Sequence, residues 1–254
     1  MALLSTESLS MTFGGLRAVS NLSLQLEMND LQGLIGPNGA GKTTVFNMLS
    51  GMIKPTTGKV IFDGEDITNL PAHQITQRGM ARTFQNIRLF GSLTVLENVK
   101  IAFHRHVTYS FMQALLQLNI AHHEENITRS AMDLLDVLGL ADRAHHQANN
   151  LSYGEQRLVE IARAMATQPK LLLLDEPAAG MNPHETEQLM NLIGKIRRDF
   201  DLSVLLIEHD MNLVMGICER ITVLDYGMTI AEGSPEQVRA NPRVIEAYLG
   251  EEVV

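Results

Sequence analysis

Cysteine, tryptophan and basic residues are scarce in this sequence, and each scarcity narrows what the chain can be. Cys218 is the single cysteine among 254 residues. That excludes an intramolecular disulfide and a cysteine-cluster zinc site, and it suits a reducing compartment. With no Trp and aromatics at only 5%, core packing falls to Leu, Ile, Val and the 14 Met. Long apolar runs are missing too. Leu171 to Leu174 and Val204 to Ile207 are strand-sized, and nothing approaches the roughly 20 residues that cross a bilayer. The start of the chain, Met1 to Ser8, carries Glu7 and no basic cluster, so it does not read as a secretory signal. Any link to a membrane is therefore expected to run through another protein. Lys and Arg number 20 against 29 Asp and Glu, a formal net charge of −9. This weighs against broad nucleic-acid binding, which needs clustered cations. It leaves room for a polyphosphate held by a few oriented amides and one Lys. Hydrophobic residues at 45% and charged residues at 19% otherwise match a folded globular chain able to bury a substantial core.

Short strands are expected in the first third. Leu22, Leu24 and Leu26 alternate with Ser and Gln, a half-buried edge pattern. Leu31 to Ile35 runs into a Gly-rich turn, and a helix is expected over Lys42 to Leu49, stopping at Gly51. Lys59 to Phe62 reads as a further strand closed by the turn pair Asp63-Gly64. From about Leu93 to Leu140 the periodicity becomes helical, through Val95, Leu96, Val99 and Ala102, then Leu115, Leu116 and Leu118, then Leu134, Leu135 and Leu138. Beyond it, strand and helix alternate: Leu171 to Leu174, a helix around Glu185 to Arg197, Val204 to Ile207, a helix around Met211 to Ile217, and Ile221 to Leu224. That alternation implies a parallel sheet covered by helices, hence an α/β domain with a mainly helical block inserted. No repeat, low-complexity tract or linker interrupts it.

Gly36-Pro-Asn-Gly-Ala-Gly-Lys-Thr-Thr44 contains Gly-x4-Gly-Lys-Thr between an expected strand and an expected helix, the context this pattern requires. Gly39 and Gly41 let the backbone curl so that successive amides face phosphate oxygens, and the helix start adds partial positive charge. Lys42 is expected to reach the β- and γ-phosphates, and the Thr43 hydroxyl to take a Mg²⁺ position. A chance Gly-rich turn is the bland alternative, and the strand–helix context disfavours it. Asp175 and Glu176 end the apolar run Leu171 to Leu174, and such strands deliver side chains to the sheet edge where ligands sit. Asp175 is placed to hold Mg²⁺ and Glu176 to orient and deprotonate a water. Leu151-Ser-Tyr-Gly-Glu-Gln156 precedes a helix with an apolar stripe at Leu158, Ile161, Ala162 and Met165. Ser152 with Glu155 makes a capping box. Gly154 weakens the first turn without improving that cap, which points to close approach by an anion, a second phosphate contact supplied from a partner copy.

In this order, Gly36 to Thr44, Gln85, Leu151 to Gln156, Asp175-Glu176 and His209 resemble the nucleotide-binding domain of ABC transporters across essentially the whole chain. The resemblance implies an α/β fold: a P-loop NTPase (RecA-like) core with an N-terminal antiparallel β subdomain and an inserted α-helical subdomain. It implies one nucleotide-binding domain over residues 1–254, with about 1–92 and 163–254 as core and about 93–162 as the helical subdomain. ATP would contact Phe13 by stacking, and Gly36, Pro37, Asn38, Gly39, Ala40, Gly41, Lys42, Thr43 and Thr44 through its phosphates. Thr43, Gln85 and Asp175 would serve Mg²⁺, while Glu176, Gln85 and His209 would form the catalytic set, His209 acting as a switch on the γ-phosphate. Ser152, Gly154 and Glu155 would contact the ATP of the opposite subunit. Implied partners are a second, identical or related ABC ATPase, integral membrane permeases at the cytoplasmic face of the inner membrane, and indirectly a periplasmic solute-binding protein, with no nucleic acid.

Narrower strings resemble the ATP-binding subunits of branched-chain amino-acid importers, the LivG type. They are Phe13 to Val19, Arg82-Thr-Phe-Gln-Asn86, Glu176 to Pro183, the ending Ala247-Tyr-Leu-Gly-Glu251 and the extra helical sequence from about His104 to Asn126. Two departures stand out: Tyr153 where the family usually has Gly, and Asn182 where many relatives have Asp. The alternatives are an exporter ATPase such as the lipopolysaccharide-export type, and a soluble ABC ATPase. The latter lacks its usual tandem domains or coiled-coil insertions here. His104, His106, His122, His123, His145 and His146 lack metal-ligand spacing and read as surface residues. The stretch Gln85 to Asn98 is where a permease helix would dock by analogy.

Overall fold

The computed structural model describes residues 2–103 and 120–249. Strands β1 (Leu4–Phe13), β2 (Leu16–Leu22) and β3 (Gln25–Leu26) come first. A second sheet opens with β4 (Leu31–Ile35), which leads into helix α1 (Lys42–Leu49), and then β5 (Thr57–Phe62) and β6 (Glu65–Asp66) return to the first sheet. That first sheet is antiparallel, ordered β2-β1-β5-β6 with β3 also on β1. Asp63 and Gly64 both have positive φ (50° and 79°), so the expected turn pair joins β5 to β6 with Phe62 opposite Glu65. The alternation Leu22, Leu24, Leu26 persists in burial, all three being almost fully enclosed, but it is not one strand. The chain breaks between β2 and β3, and the Thr6 hydroxyl fills the break. It donates to Leu22 O (3.0 Å) and accepts from Leu24 N (2.9 Å), replacing ladder bonds.

Next come α2 (Ala72–Gln77) and the three-residue β7 (Met80–Arg82), neither legible as a periodic segment, then the helical block. Its described helices are α3 (Val95–Phe103), α4 (Ile120–Val137) and α5 (Tyr153–Met165). Thr94 sets the start of α3: its hydroxyl accepts from Glu97 N (3.2 Å) while the Glu97 carboxylate accepts from Thr94 N (2.7 Å). The helical spacing at Leu115, Leu116 and Leu118, the histidines His104 and His106, most of the extra sequence before Asn126, and the end of the string Ala247 to Glu251 lie outside the described residues.

After the block the chain alternates as expected, through β8 (Leu171–Asp175), α6 (Pro183–Asp199), β9 (Ser203–Ile207), α7 (Met211–Ile217), β10 (Arg220–Asp225), β11 (Met228–Gly233), α8 (Pro235–Arg239) and α9 (Pro242–Leu249). The second sheet has the order β11-β10-β4-β9-β8-β7, parallel throughout except at the β10–β11 edge. Every residue of β4, β8 and β9 is buried, because helices or the other sheet cover both faces. The pleat divides them cleanly. Leu171, Leu173, Leu205 and Ile207 pack with Val45 and Phe46 of α1 and with Leu4 and Val60 of the first sheet. Leu172, Leu174, Val204 and Leu206 pack with Leu189, Ile193 and Ile196 of α6 and with Val95, Leu135 and Ile161 of the helical block. A one-residue slip in register would exchange the two sets.

The Thr6 bridge yields a stability test. Replacing Thr6 by Val keeps the volume but leaves the Leu22 carbonyl and Leu24 amide without their buried partner. The expected loss is about 1–3 kcal/mol in urea unfolding, and an unchanged midpoint would show that the hydroxyl does not hold the β2–β3 break.

Candidate functional site

Residues 36–41 join β4 to α1 and form a curled loop. Gly36 has φ 149°, and a Cβ there would lie 2.0 Å from the Leu224 carbonyl oxygen, so the loop can leave the sheet beside β10 only with glycine. Gly39, at φ 78°, faces open space instead, and its requirement is conformational. Helix α1 starts without a side-chain cap and without an acidic residue in its first turn. Its amide end is thus left to an external acceptor, and an anion is the natural one. Lys42 is buried, and its ammonium donates to the carbonyls of Gly36 and Pro37, the latter at 2.9 Å. The cation is held against the loop it is expected to serve.

A cleft of about 510 Å³ opens over this loop, and Phe13, Lys42, Thr43, Thr44, Gln85, Glu176 and Tyr226 line it. Phe13, expected to stack on the base, is 48% exposed at the end of β1. Tyr226, more exposed still, was not singled out, and a single aromatic after a strand offers no local signal.

Strand β8 delivers Asp175 and Glu176 to the same edge. Asp175 is buried, and its Oδ2 pairs with Arg82 Nη2 at 2.8 Å. Arg82 also donates to Asn47 Oδ1 (2.8 Å) and Ser50 Oγ (3.0 Å) in the last turn of α1 and beyond. Sequence reasoning quoted Arg82 only inside a family string, and its partner lies 93 residues away. Glu176 adopts the left-handed conformation, φ 48°, uncommon for a residue with a side chain and typical of functional sites. Its amide donates to Ile207 O (2.9 Å), tying the turn to the end of β9. Its Oε2 accepts from Gln85 Nε2 at 2.6 Å and lies 3.4 Å from His209 Nε2. The three residues expected to be catalytic therefore meet at one carboxylate oxygen. Glu208, also unforeseen, is buried and accepts from Ala178 N (2.9 Å), and burial pushes its carboxyl above the usual range.

Ser152, Gly154 and Glu155 do not line this cleft. They border a separate hollow of about 400 Å³ with Met181 and Glu185. Ser152 caps α5 as expected, accepting from Glu155 N (3.3 Å) while its own amide donates to Glu155 (2.9 Å). Burial alone would raise the Glu155 carboxyl, but the Ser152 bonds and the Arg143 guanidinium outweigh it and lower it. That carboxylate is thus occupied by the cap and by Arg143. Asn182 has a structural task of its own, capping α6 reciprocally with Glu185.

The sequence fits the family model described as ABC transporter over residues 19–179 and that described as branched-chain amino acid ATP-binding cassette transporter over residues 228–254. It is 48% identical over 253 residues to the high-affinity branched-chain amino acid transport ATP-binding protein BraF of Pseudomonas aeruginosa, covering 98% of both chains. To LivG of Escherichia coli, described in the same words, it is 49% identical over 250 residues, again 98% of both. The lipopolysaccharide export system ATP-binding protein LptB of Haemophilus influenzae is 36% identical over 252 residues, 99% of both. Among solved structures, the ADP conformation of an ATP-binding cassette of an ABC transporter superposes with a TM-score of 0.85 at 31% identity, covering 98% of this chain and 99% of that one. A dimeric cassette in a post-hydrolysis state bound to ADP and Pi gives 0.77 at 26% identity, covering 91% and 98%.

Glu176→Gln should preserve the contact with Gln85 but slow ATP hydrolysis by about 10²–10⁴-fold with ATP affinity intact. Near-normal turnover in a steady-state phosphate-release assay would remove Glu176 from the role of base.

Proposed function

The chain belongs to the family of ABC transporter ATP-binding proteins and is an ATPase, and on that footing we propose that it powers an importer of branched-chain amino acids. The observation that carries the choice of solute is identity of 48–49% along the whole chain to BraF and LivG, against 36% to LptB. The active site itself specifies no solute, because an ATPase of this kind touches nucleotide and permease rather than cargo.

The proposed division of labour follows the geometry. The curled loop from Gly36 and the uncapped start of α1 hold the triphosphate, Lys42 meets the β- and γ-phosphates, and Phe13 stacks on the base. Glu176 takes the proton of the attacking water onto its carboxylate, with Gln85 orienting that water and His209 donating to the γ-phosphate. Asp175, Thr43 and the side-chain amide oxygen of Gln85 offer hard oxygen donors that fit Mg²⁺. When bound, that ion would neutralise phosphate charge. Arg82 occupies one oxygen of Asp175 and leaves the other for the metal side.

Two copies in head-to-tail arrangement complete the reading. Gly154 is not required by its own chain, since a Cβ there would meet only ordinary contacts, Glu185 Oε1 at 3.7 Å and Met181 Cε at 3.8 Å. Close approach by the phosphates held on the opposite copy supplies the missing reason. Residues about 1–92 and 163–254 act as the core and about 93–162 as the helical subdomain, with Gln85 to Asn98 toward the permeases. No described helix is long and apolar enough to cross a membrane. In this reading the chain sits at the cytoplasmic face, held by permeases that receive solute from a periplasmic binding protein.

Transport tests the solute. Co-expressed with the permeases and periplasmic binding protein of a branched-chain amino-acid importer, the chain should support leucine uptake that isoleucine and valine compete and that Glu176→Gln abolishes. Uptake indifferent to all three amino acids would overturn the proposed cargo.

A further inference from the structure

One buried cation takes no part in the nucleotide cleft. Arg157, on the second turn of α5, is fully enclosed. Its Nη1 donates to Phe84 O (2.6 Å) and to Glu160 Oε2 (2.7 Å), and its Nη2 to Gln85 O (2.7 Å) and the Tyr153 hydroxyl (3.1 Å). Glu160, one turn further along α5, also accepts from Phe84 N (3.4 Å). Strand β7 has ended at Arg82, so the backbone at 84 and 85 has left the sheet. The Arg157–Glu160 pair gives that backbone the donors and acceptor that a neighbouring strand would have given. Burial raises the Glu160 carboxyl above its usual range while the Arg157 charge pulls it back. Tyr153 extends the connection in the other direction. Its ring lies 5.8 Å from the guanidinium, and it packs so closely over the loop behind Glu176 that a Cβ on Gly180 would come 3.2 Å from its Cε1.

We infer that Arg157 is a positioning residue that fastens the Gln85 loop to the start of α5, so that the Gln85–Glu176 contact and the Ser152–Gly154 edge are set together. The inference rests on the roles proposed above for Gln85, Glu176, Ser152 and Gly154. It also explains Tyr153, whose hydroxyl is an acceptor on the same guanidinium. Lysine cannot replace Arg157, because one ammonium cannot span two successive carbonyls, a phenol and a carboxylate at once. A movement of α5 toward or away from a second copy would thereby move Gln85 relative to Glu176, which makes turnover depend on the state of the partner-facing edge.

The test uses Arg157→Lys in the full chain, with two readouts. Amide hydrogen exchange over residues 84–92 reports the tie itself. It should quicken by about tenfold or more, with 171–175 unchanged, and unchanged exchange would overturn the inference. Steady-state ATP hydrolysis reports what the tie does. Turnover should fall by about tenfold at unchanged nucleotide affinity, and the fall should vanish in a Gln85→Ala background, as a double-mutant cycle shows for residues acting in series. A fall of full size on top of Gln85→Ala would mean that Arg157 acts by some other route, and would also overturn it. Normal turnover by Gln85→Ala alone would remove the role proposed for Gln85, and the exchange result would then decide the tie by itself. Should Arg157→Lys fail to fold, Arg157→Met with Glu160→Met removes the pair without leaving a buried charge alone, and the same two readouts apply.

Discussion

Parallel strands covered on both faces can carry few polar side chains until they end, and that restriction decides where the chemistry of this chain sits. Every residue of β4, β8 and β9 is buried. Gln32 is tolerated within β4 because its amide donates to Thr222 Oγ1 on β10 at 3.0 Å. Because β4, β8 and β9 run in the same direction, their first reactive residues emerge at one edge. The glycine-rich loop from Gly36, the pair Asp175-Glu176 and the pair Glu208-His209 are thus neighbours by topology before any side chain is placed.

Buried charge then fixes the parts relative to one another. Arg82 holds Asp175 and also grips Asn47 and Ser50, so the helix that starts at the phosphate loop is anchored at its far end to the carboxylate on β8. Arg157 and Glu160 do the same between α5 and the Gln85 loop. Such pairs are weak sources of net stability, because desolvation offsets most of the attraction. Their worth here is positional: each joins segments that the chain order separates widely. The left-handed Glu176 belongs with them, a conformation that its bond to Ile207 at the end of β9 helps to hold.

What could be read from sequence was what depends on near neighbours. Leu31 to Ile35 and Lys42 to Leu49 fall where the structure has β4 and α1, because an apolar run, a Gly-rich turn and a helical stripe are local signals. The cap at Ser152 is local in the same way. Legibility ended where a distant partner decides. The run Leu22 to Leu26 looked continuous, and Thr6 broke it by offering a hydroxyl in place of ladder bonds. Arg82 and Arg157 gave no sign of their tasks, since Asp175 lies 93 residues from one and Phe84 73 residues from the other. Asn182 was noted only as a departure from Asp, whereas its side chain caps α6. Strand β7, at three residues, is too short for any period to show.

In the proposed head-to-tail pair, Ser152 and Gly154 of a second copy complete the site that converges on Glu176. Light scattering on the hydrolysis-impaired Glu176→Gln chain addresses it directly. With Mg²⁺ and ATP the mass should double relative to the nucleotide-free chain, and ADP should not sustain the dimer. A single-chain mass in saturating ATP, persisting when the permeases are present, would contradict it.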